Sequence, residues 1–372
     1  MLESLLGIRL VLWMGKTVPI PAPYDALLAL TRLEVSNDSE NGDGFQITFA
    51  MGKDPSADYS LLKAGALEPF SRVVIGVVMG VIPEVLIDGV ITHHQIAPSS
   101  EPGVSTLTVS GRDVSLMMDL EEKNEKYENQ PDFVIFTRLV ANYAQWGLVP
   151  MPSPTTDVPI MLQRIPRQHE TDLKFIQRLA RRNGFVFYVE PLTFGVNTAY
   201  FGAENRLGIP QPALSINLGS STNVKSLHFT NDSLAPVGTQ SSFLEPISKT
   251  SIPIPSLPSL RIPPLAASAT PAKKKVLLRG SANQNPAQAA LASAGAVTRA
   301  PEPVSGEGEL ETVRYGAILR ARKLVGVRGA GLTYNGNYYV RRVSHSIARG
   351  SYTQRFSLSR EGTGTLLPVV RP

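Results

Sequence analysis

Apolar residues recur at every second position in the first third of the chain. The clearest stretches are Leu33 and Val35, followed by Phe45, Ile47, Phe49 and Met51. A period of two puts such residues on one face of a strand, which predicts half-buried antiparallel strands from Leu27 to Asp113. Residues 72–82 are almost continuously apolar, and such a run predicts a strand that is covered on both faces. We expect a β-barrel or a β-sandwich in this part of the chain.

Two dipeptides have the composition of tight turns. Asp88-Gly89 precedes an expected strand over residues 90–97 with a return strand over residues 104–110, and Asn335-Gly336 lies among the strands expected between residues 309 and 359. Asp-Gly and Asn-Gly favour two-residue hairpin turns because both central residues need a positive φ. We therefore predict a turn at each dipeptide.

The period changes after Asp113 and predicts two helices. The first begins near Pro131 and ends at Gly147, with one apolar stripe along it. The second has Thr171 as N-cap and Asp172 in its first turn, and it stops at Gly184. Its expected buried face consists of Leu173, Ile176, Leu179 and Ala180. Short strands are expected next, at residues 185–189, 198–201, 214–218 and 226–229.

Residues 232–305 differ in composition from the rest of the chain. They contain eleven prolines, much alanine and serine, and Phe243 as their single aromatic residue, too little apolar surface for a core of their own. We expect a flexible outer loop, with an ordered strap across a neighbouring subunit or another protein as the alternative. One short helix is predicted from Asn285-Pro286 to Gly295.

The two turn dipeptides introduce segments that resemble each other. Residues 90–113 and 337–362 each contain a strand with histidine, a reversal with glycine, a return strand rich in serine and threonine, and a closing pair, Arg112-Asp113 or Arg360-Glu361. Common hairpin chemistry is the simple explanation. The other explanation is that the chain carries two copies of one barrel.

Charge separates the two copies. Residues 28–112 contain five basic and ten acidic side chains, a net charge of −5, whereas residues 307–372 contain eleven and four, a net charge of +7. Opposite patches steer association, so we hypothesise that the first barrel of one subunit abuts the second barrel of its neighbour. The whole chain carries +5 over 372 residues, a weak field for a nucleic-acid binder.

The segment RQHETDLKFIQRLARRNGFVFYV, Arg167 to Val189, closely resembles the signature of the late control protein D family of contractile-tailed phages. The valine-glycine repeat hubs of type VI secretion share this signature. The matching residues are Gln168, Glu170, Thr171, Asp172, Phe175, Arg178, Leu179 and Gly184. The segments GRDVSLMMD (111–119), YAQWGL (143–148) and residues 336–360 are also similar to that family.

The resemblance implies a structural baseplate hub, a homotrimer in which each subunit contributes two tube-like barrels. Six barrels then match the hexameric inner tube, or a tube-initiator protein, above, and a trimeric spike attaches below. Baseplate wedge or sheath-adaptor proteins are further expected partners, and DNA or an effector passes through the lumen without specific binding. The implied location is the baseplate of a virion or an injection particle, assembled in the bacterial cytoplasm.

The expected fold is mainly β with an α+β insert, comprising two related antiparallel β-barrels and a helix-containing domain. The expected division is an N-terminal segment (1–27), a first barrel (28–113), the insert (114–230), the connector (231–306) and a second barrel (307–372). An alternative assignment places the last strands of the insert in the second barrel. The signature residues are expected to maintain the fold, with Arg178 bridging to a neighbouring element, and contact with the spike or another subunit is the alternative.

No catalytic, cofactor-binding or metal-ligating residue is assigned. Cysteine is absent, and His93-His94 would point to opposite faces of a strand. Glu170 and Asp172 raise the alternative of a cell-wall hydrolase, but acids in the first helical turn are explained by the helix dipole. The lysines 273–275 and the C-terminal arginines raise the alternative of a nucleic-acid-binding component, although the tyrosines there are scattered. The apolar stretches are too short to predict a membrane anchor, and Glu3 stands where a secretory signal needs positive charge.

Overall fold

The computed structural model describes residues 7–16, 18–52, 65, 67–80, 82–101, 104–155, 157–159, 165–244, 250–278 and 286–366. The chain is mainly β with a helix-containing unit, as predicted. Apart from the short last strand, Gly362–Thr365, the strands of the two expected barrels belong to one sheet, which has 13 strands among the described residues. Three large apolar clusters form most of the core: one under each half of the sheet and one in the helical unit. A fourth, small cluster consists of Leu265, Leu324 and Tyr339.

The first part of the chain forms one half of the large sheet. Its elements are β1 (Ile8–Gly15), β2 (Ile20–Pro21), α1 (Tyr24–Ala29), β3 (Leu30–Asp38), β4 (Gly44–Met51), β5 (Arg72–Met79), β6 (Ile82–Ala97) and β7 (Ser105–Asp113). Every second residue of β4 is buried, and seven consecutive residues of β5 are buried, so both strand predictions are confirmed. The apolar N-terminal stretch is used as β1, which pairs with β5.

The helical unit follows the first half of the sheet. It contains β8 (Glu122–Lys126), α2 (Asp132–Ala141), β9 (Leu148–Pro152), β10 (Arg167–Thr171), α3 (Asp172–Asn183), β11 (Val186–Thr193) and β12 (Val196–Gly202). Both predicted helices are confirmed. The first ends at Ala141, and a 3-10 turn over Ala144–Trp146 leads to Gly147, which is left-handed. β8 pairs with β10, and β9, β12 and β11 form a three-stranded sheet.

Two strands then return to the large sheet, and the connector follows them. The strands are β13 (Gln211–Ser215) and β14 (Val224–Asn231); the connector contains β15 (Val237–Leu244), β16 (Ser251–Ile254), β17 (Ala266–Ala269), β18 (Lys274–Leu277) and α4 (Pro286–Arg299). Where a loop was expected, the described residues of the connector form four strands and a helix. β15 pairs with both β16 and β18. Buried ion pairs join Arg261 of the connector to Glu204, and Glu302 to Arg341 in the last part of the chain.

The last part of the chain completes the large sheet. Its elements are β19 (Val304–Glu311), α5 (Thr312–Tyr315), β20 (Leu324–Arg328), α6 (Gly331–Tyr334), β21 (Gly336–Ala348), β22 (Ser351–Arg360) and β23 (Gly362–Thr365). β14 pairs with β19, β13 pairs in parallel with β20, and β23 pairs with β17 of the connector.

The strand order confirms the internal repeat. In the first half the order is β3-β4-β7-β6-β5, and in the second it is β14-β19-β22-β21-β20, so each strand has a counterpart at the same place in both chain order and sheet order. The irregularities coincide as well. The ladder shifts between Leu30 and Arg32 and between Val224 and Ser226 on the outer strands. It also shifts between Ile91 and His93 and between Val340 and Arg342 on the central hairpins.

One joint connects the two halves. The second part of β21 pairs with β3 in antiparallel register, from Arg342 opposite Asp38 to Ala348 opposite Arg32. The first part of β21 pairs with β20 on the same side. The second half thus adds its central hairpin to the outer strand of the first half, and the sheet continues across the boundary.

Both turn predictions are wrong. Asp88 and Gly89 lie inside β6, where a Cβ on Gly89 would come within 2.5 Å of the Arg112 carbonyl oxygen and 2.8 Å of the Phe45 ring. Glycine is needed there for close packing within a strand. Gly336 is the first residue of β21, and the connection from β20 spans residues 329–335 and contains α6. By ladder register, Asp88 is the counterpart of Asn337, so the sequence alignment of the repeats was shifted by two residues at this point.

The predicted end of the connector helix is also wrong. Helix α4 continues through Gly295 to Arg299, while the predicted first residue, Asn285, lies outside the described residues. A Cβ on Gly295 would lie 3.2 Å from the Arg181 carbonyl oxygen and 3.3 Å from the Gly184 nitrogen. Gly295 therefore allows α4 to approach the end of α3 closely.

Candidate functional site

Asp172 is the centre of a buried hydrogen-bond network at the start of α3. Its Oδ2 accepts from Lys123 Nζ at 2.6 Å and from the Tyr143 hydroxyl at 2.8 Å, and its Oδ1 accepts from Gln168 Nε2 at 2.7 Å. Gln168 Oε1 in turn accepts from the Tyr127 hydroxyl at 2.6 Å. Burial and the Asp172 charge raise the pKa of Tyr127 to about 12, so this hydroxyl remains a donor at neutral pH. The network joins β8, β10 and α3 to Tyr143, which follows α2.

Thr171 is the N-cap of α3, as predicted. Its Oγ1 accepts from the Lys174 amide at 3.4 Å and donates to Asp119 Oδ1 at 2.6 Å. A cap of this kind satisfies one of the amides at a helix start that have no partner in the helix. Through Asp119, the same hydroxyl ties the helix to the segment that follows the first half of the sheet.

Glu170 and Arg178 form the exposed part of the signature. Arg178 Nε donates to Glu170 Oε1 at 2.6 Å, and Arg178 Nη2 donates to the Arg167 carbonyl at 2.7 Å. The Arg178 guanidinium also lies 4.9 Å from the centre of the Phe175 ring. Arg178 thus bridges α3 to β10, and its side chain remains about half exposed.

The remaining signature residues pack the end of α3. Phe175 and Leu179 are buried, and the Phe175 ring lies 5.4 Å from that of Tyr127. Gly184 ends the helix with a φ of 66°, a conformation that favours glycine. A Cβ at this position would lie 2.8 Å from Leu260 of the connector. The structure therefore places all the signature residues along α3 and at its two ends, where each has a structural contact.

Neither carboxylate of the signature is both exposed and unpaired, as the catalytic acid or base of a glycosidase would be. Asp172 is fully enclosed by three donors, and Glu170 is engaged by Arg178. Acid-base cleavage of a glycosidic bond needs two carboxyl groups that flank a cleft of sugar size. In the described ranges, no group of three or more histidine, aspartate or glutamate side chains could hold a metal ion.

The five histidines are dispersed. His93 and His94 follow each other in β6, His169 lies in β10, His228 lies in β14 and His345 lies in β21. His345 is buried, and its Nδ1 is 2.9 Å from the Tyr352 hydroxyl. Burial, with Arg320 nearby, lowers the pKa of His345 to about 3, so this ring is neutral at physiological pH.

The tyrosines of the second half do not form a stacking platform. Tyr338 and Tyr339 are fully buried, and Tyr315 is almost so. Base stacking needs exposed rings along a basic groove. The lysines at 273–275 are exposed on the connector.

A buried charge cluster holds the connector to the sheet, and sequence analysis missed it. Arg206, with a fully buried side chain, donates to Glu302 at 2.6 Å, to Glu361 at 3.1 Å and to Glu204 at 3.2 Å. Glu204 also accepts from Arg261 at 3.1 Å and from Arg341 of β21 at 2.7 Å. These partners are separated by up to 155 residues. Nothing in a local sequence pattern indicates such a cluster.

The joint between the two halves is reinforced by opposite charges. Arg322 and Asp43 are paired with both side chains buried. Arg342 donates to Asp38 at 2.7 Å, and Arg320 donates to Glu84 at 2.8 Å. In each pair the base belongs to the second half and the acid to the first. Part of the opposite charge seen in the sequence is therefore used within one chain.

The exposed face of the sheet at this joint is polar. A shallow cleft of about 360 Å³ lies over β3 and β21, and Ser36, Gln46, Ser344, Ser346 and Thr353 line it. The Oγ atoms of Ser36 and Ser344 are 3.3 Å apart across the joint. Arg32, Glu34 and Arg355 add both signs of charge to the same face.

Comparisons with known proteins find the same fold in bacteriophage tails and in type VI secretion. A tail protein from Neisseria meningitidis MC58 superposes with a TM-score of 0.64 at 13% identity, over 96% of this chain and 98% of that one. The 43 kDa tail protein of prophage MuSo2 from Shewanella oneidensis gives 0.63 at 14% identity, over 95% and 98%. The Escherichia coli c3393 protein, described as a component of the type VI secretion system, gives 0.55 at 14% identity, over 92% and 77%.

No family model and no curated protein matches the sequence. Among the described residues, none of the helices has the length and apolar character needed to cross a bilayer. The fold is therefore indicated by the short signature at residues 167–189 and by the structural likeness, and not by similarity over the whole sequence. The chain has the fold of these phage tail and type VI secretion proteins.

Proposed function

We propose that the protein is a structural baseplate hub, a homotrimer that matches a hexameric inner tube to a trimeric spike. The observation that carries the proposal is the duplicated strand order, β3-β4-β7-β6-β5 and β14-β19-β22-β21-β20, within one sheet. Three chains present a six-fold surface only if each of them offers two similar surfaces. The shared ladder shifts make the two surfaces similar at the level of single residues.

The polar face of the sheet is suited to line a channel. Serine, threonine and glutamine side chains dominate it at the joint, and the charges there have both signs. Such a face is wetted without concentrating positive charge, which is the main source of affinity for a nucleic-acid backbone. In the proposed ring, DNA or an effector passes this face without specific binding.

The proposed partners are the inner tube or a tube-initiator protein on one side and a spike protein on the other. Wedge or sheath-adaptor proteins contact the outside, in the baseplate of a virion or an injection particle that assembles in the bacterial cytoplasm. Each chain contributes residues 28–113 and 307–372 to the ring, together with β14 and the start of β19, which belong to the second repeat of the sheet. The other parts of residues 114–230 and 231–306 support the ring. Of the signature residues, Glu170 and Arg178 are exposed enough to contact a spike or another subunit.

The proposed role needs no catalysis. It predicts that the purified chain neither clears peptidoglycan nor binds DNA in a salt-sensitive manner. Robust clearing would favour the cell-wall hydrolase instead, and tight, salt-sensitive DNA binding by a monomer would favour the nucleic-acid-binding component.

The oligomeric state tests the proposal. Light scattering should give the mass of three chains, and class averages from negative-stain images should show a three-fold ring with a pseudo-six-fold face. A monomer over a wide range of protein and salt concentrations would contradict the proposal.

A further inference from the structure

We propose that the second part of β6, residues 92–97, pairs with β14 of a neighbouring copy, in a register that places Gln95 opposite Thr230 of that copy. The inference rests on the proposed trimer and assigns the strands that join its subunits. The partner is a second copy of this chain, and the pairing is antiparallel.

The proposed interface has the same strand pairing as the joint inside the chain. There the second part of β21 pairs with β3, and Ser344 lies opposite Ser36. The joint buries side chains on one face of both strands: Val343 and His345 on β21, and Leu33 and Val35 on β3. The chain therefore contains one complete example of how two halves join edge to edge.

The repeat shows which strands take the same places at the ends of the sheet. In the first half, β6 is the counterpart of β21; in the second half, β14 is the counterpart of β3. In the two central hairpins the ladder shifts at Thr92 and at Arg341, so these two residues are counterparts. Gln95 and Ser344 each lie three residues further along the chain and are therefore counterparts as well. On the outer strands the ladder shifts at Thr31 and at Lys225. Ser36 and Thr230 each lie five residues after these positions, so they are counterparts.

Both strands lack a neighbour on the relevant side. Within the described ranges, β14 ends the sheet and pairs only with β19, and the second part of β6 pairs only with β7. Ile96, the counterpart of the buried His345, is 41% exposed. Unpaired N–H and C=O groups along an open edge are a template for another strand. One open edge at each end of the sheet lets copies join head to tail and close into a ring.

Charge at the end of the ladder agrees with the same register. Arg342 pairs with Asp38 at 2.7 Å in the internal joint, and the corresponding positions are His93 and Asp232. Asp38 and Asp232 share one local hydrogen bond, from the amide two residues further along the chain. Asp38 Oδ1 accepts from the Glu40 amide and Asp232 Oδ1 from the Leu234 amide, each at 2.8 Å. In Asp38 the other oxygen faces the arginine, and in Asp232 it is placed to accept from His93 of the next copy.

Disulfide trapping tests the register, because the chain has no cysteine. The variant carries Gln95→Cys and Thr230→Cys in the full-length chain and is oxidised under mild conditions. Because the internal counterparts lie with their Oγ atoms 3.3 Å apart, the two new cysteines should be close enough to bond. Denaturing, non-reducing electrophoresis should show covalent trimers with some dimers, and reduction should return single chains.

Two matched variants serve as controls. Ser36→Cys with Ser344→Cys should form a disulfide inside one chain, without higher-mass bands. Gln95→Cys with Ser226→Cys displaces one partner by four residues, roughly 13 Å along a strand, and should give less than a tenth of the covalent trimer. Gln95 and Thr230 are exposed, so their replacement leaves the core intact.

The outcomes separate this inference from the proposed function. Covalent trimers from the Gln95/Thr230 pair alone support it. A trimer by light scattering that gives no covalent species with this pair overturns the strand assignment and leaves the hub proposal standing. Equal cross-linking by the Ser226 control overturns the register. A monomer in every sample, with no cross-link, overturns both.

Discussion

The buried guanidinium of Arg322 pairs with the buried carboxylate of Asp43 across the boundary between the two halves of the sheet. Arg322 also donates to the Asp38 carbonyl at 2.7 Å, at the end of β3. Asp113 accepts from the Asp43 amide at 2.9 Å, and burial together with the Asp43 charge raises the pKa of Asp113. Arg322 therefore supplies the cation that this concentration of acids requires.

Replacing Arg322 with methionine should strongly destabilise the chain. The change leaves the Asp43 carboxylate buried without its partner, and the loss of one member of such a pair costs about 3–5 kcal/mol. The free energy of unfolding, from urea denaturation, should fall by that order. The double variant Arg322→Met with Asp43→Asn should recover part of the loss, because no charge is then left unpaired. A single variant within about 0.5 kcal/mol of the parent would contradict this role.

Glu302 should make stability depend on acid pH. Burial alone would raise the pKa of this carboxyl group, but Arg206, Arg261 and Arg341 outweigh burial and lower the pKa from 4.5 to about 2. A group with a lower pKa in the folded state stabilises the fold above its unfolded pKa. The contribution should be lost as pH falls from about 4.5 to about 2.

Urea unfolding at several pH values measures this effect. The Glu302→Gln variant should be less stable at neutral pH and should lose less stability across that acid range. Glu101→Gln, on an exposed loop, is the control and should follow the parent. If the parent and Glu302→Gln had parallel profiles, the network would not have the assigned role.

The two signature carboxylates should differ sharply in their effect on stability. Asp172→Ala removes the acceptor of three buried or half-buried donors and should cost about 3–5 kcal/mol. Glu170→Ala breaks a half-exposed pair and should cost about 0–1 kcal/mol. Thermal and urea unfolding of both variants provide the comparison. Similar losses would show that Asp172 is not the centre of the signature network.

Gly184 should not tolerate alanine. A positive φ costs an alanine about 1–2 kcal/mol, and the new methyl group would also meet Leu260 at 2.8 Å. Gly184→Ala should therefore lower the free energy of unfolding by at least that amount and loosen the connector. Limited proteolysis near residues 253–264 should become faster. Gly208→Ala, with nothing within 4 Å of the new methyl group, should behave as the parent does.

The sequence predicted local structure better than it predicted connections. The alternation around Phe45 and the cap at Thr171 depend on neighbouring residues, and both predictions are confirmed. Gly89 was misread because glycine is favoured in turns and equally where a ring such as Phe45 packs on a strand. The same ambiguity placed a helix end at Gly295, where glycine instead permits contact between two helices.

Features that depend on residues far apart along the chain could not be predicted from the sequence. Arg206 and Glu302 are 96 residues apart, and their contact fastens the end of the connector to the rest of the chain. The signature residues were identified by resemblance, but their arrangement around Asp172 required the structure. The repeat was visible as a weak pattern, and the ladders corrected its alignment by up to two residues.

A three-dimensional reconstruction of the assembled protein tests the central claim most directly. The measurement is the rotation that superposes β3–β7 on their counterparts in the same chain. The account predicts a rotation of about 60° around the three-fold axis of a trimer, because six similar sets then occupy six equivalent places. A trimer in which this rotation axis departs clearly from the three-fold axis, or an assembly without three-fold symmetry, would contradict the account.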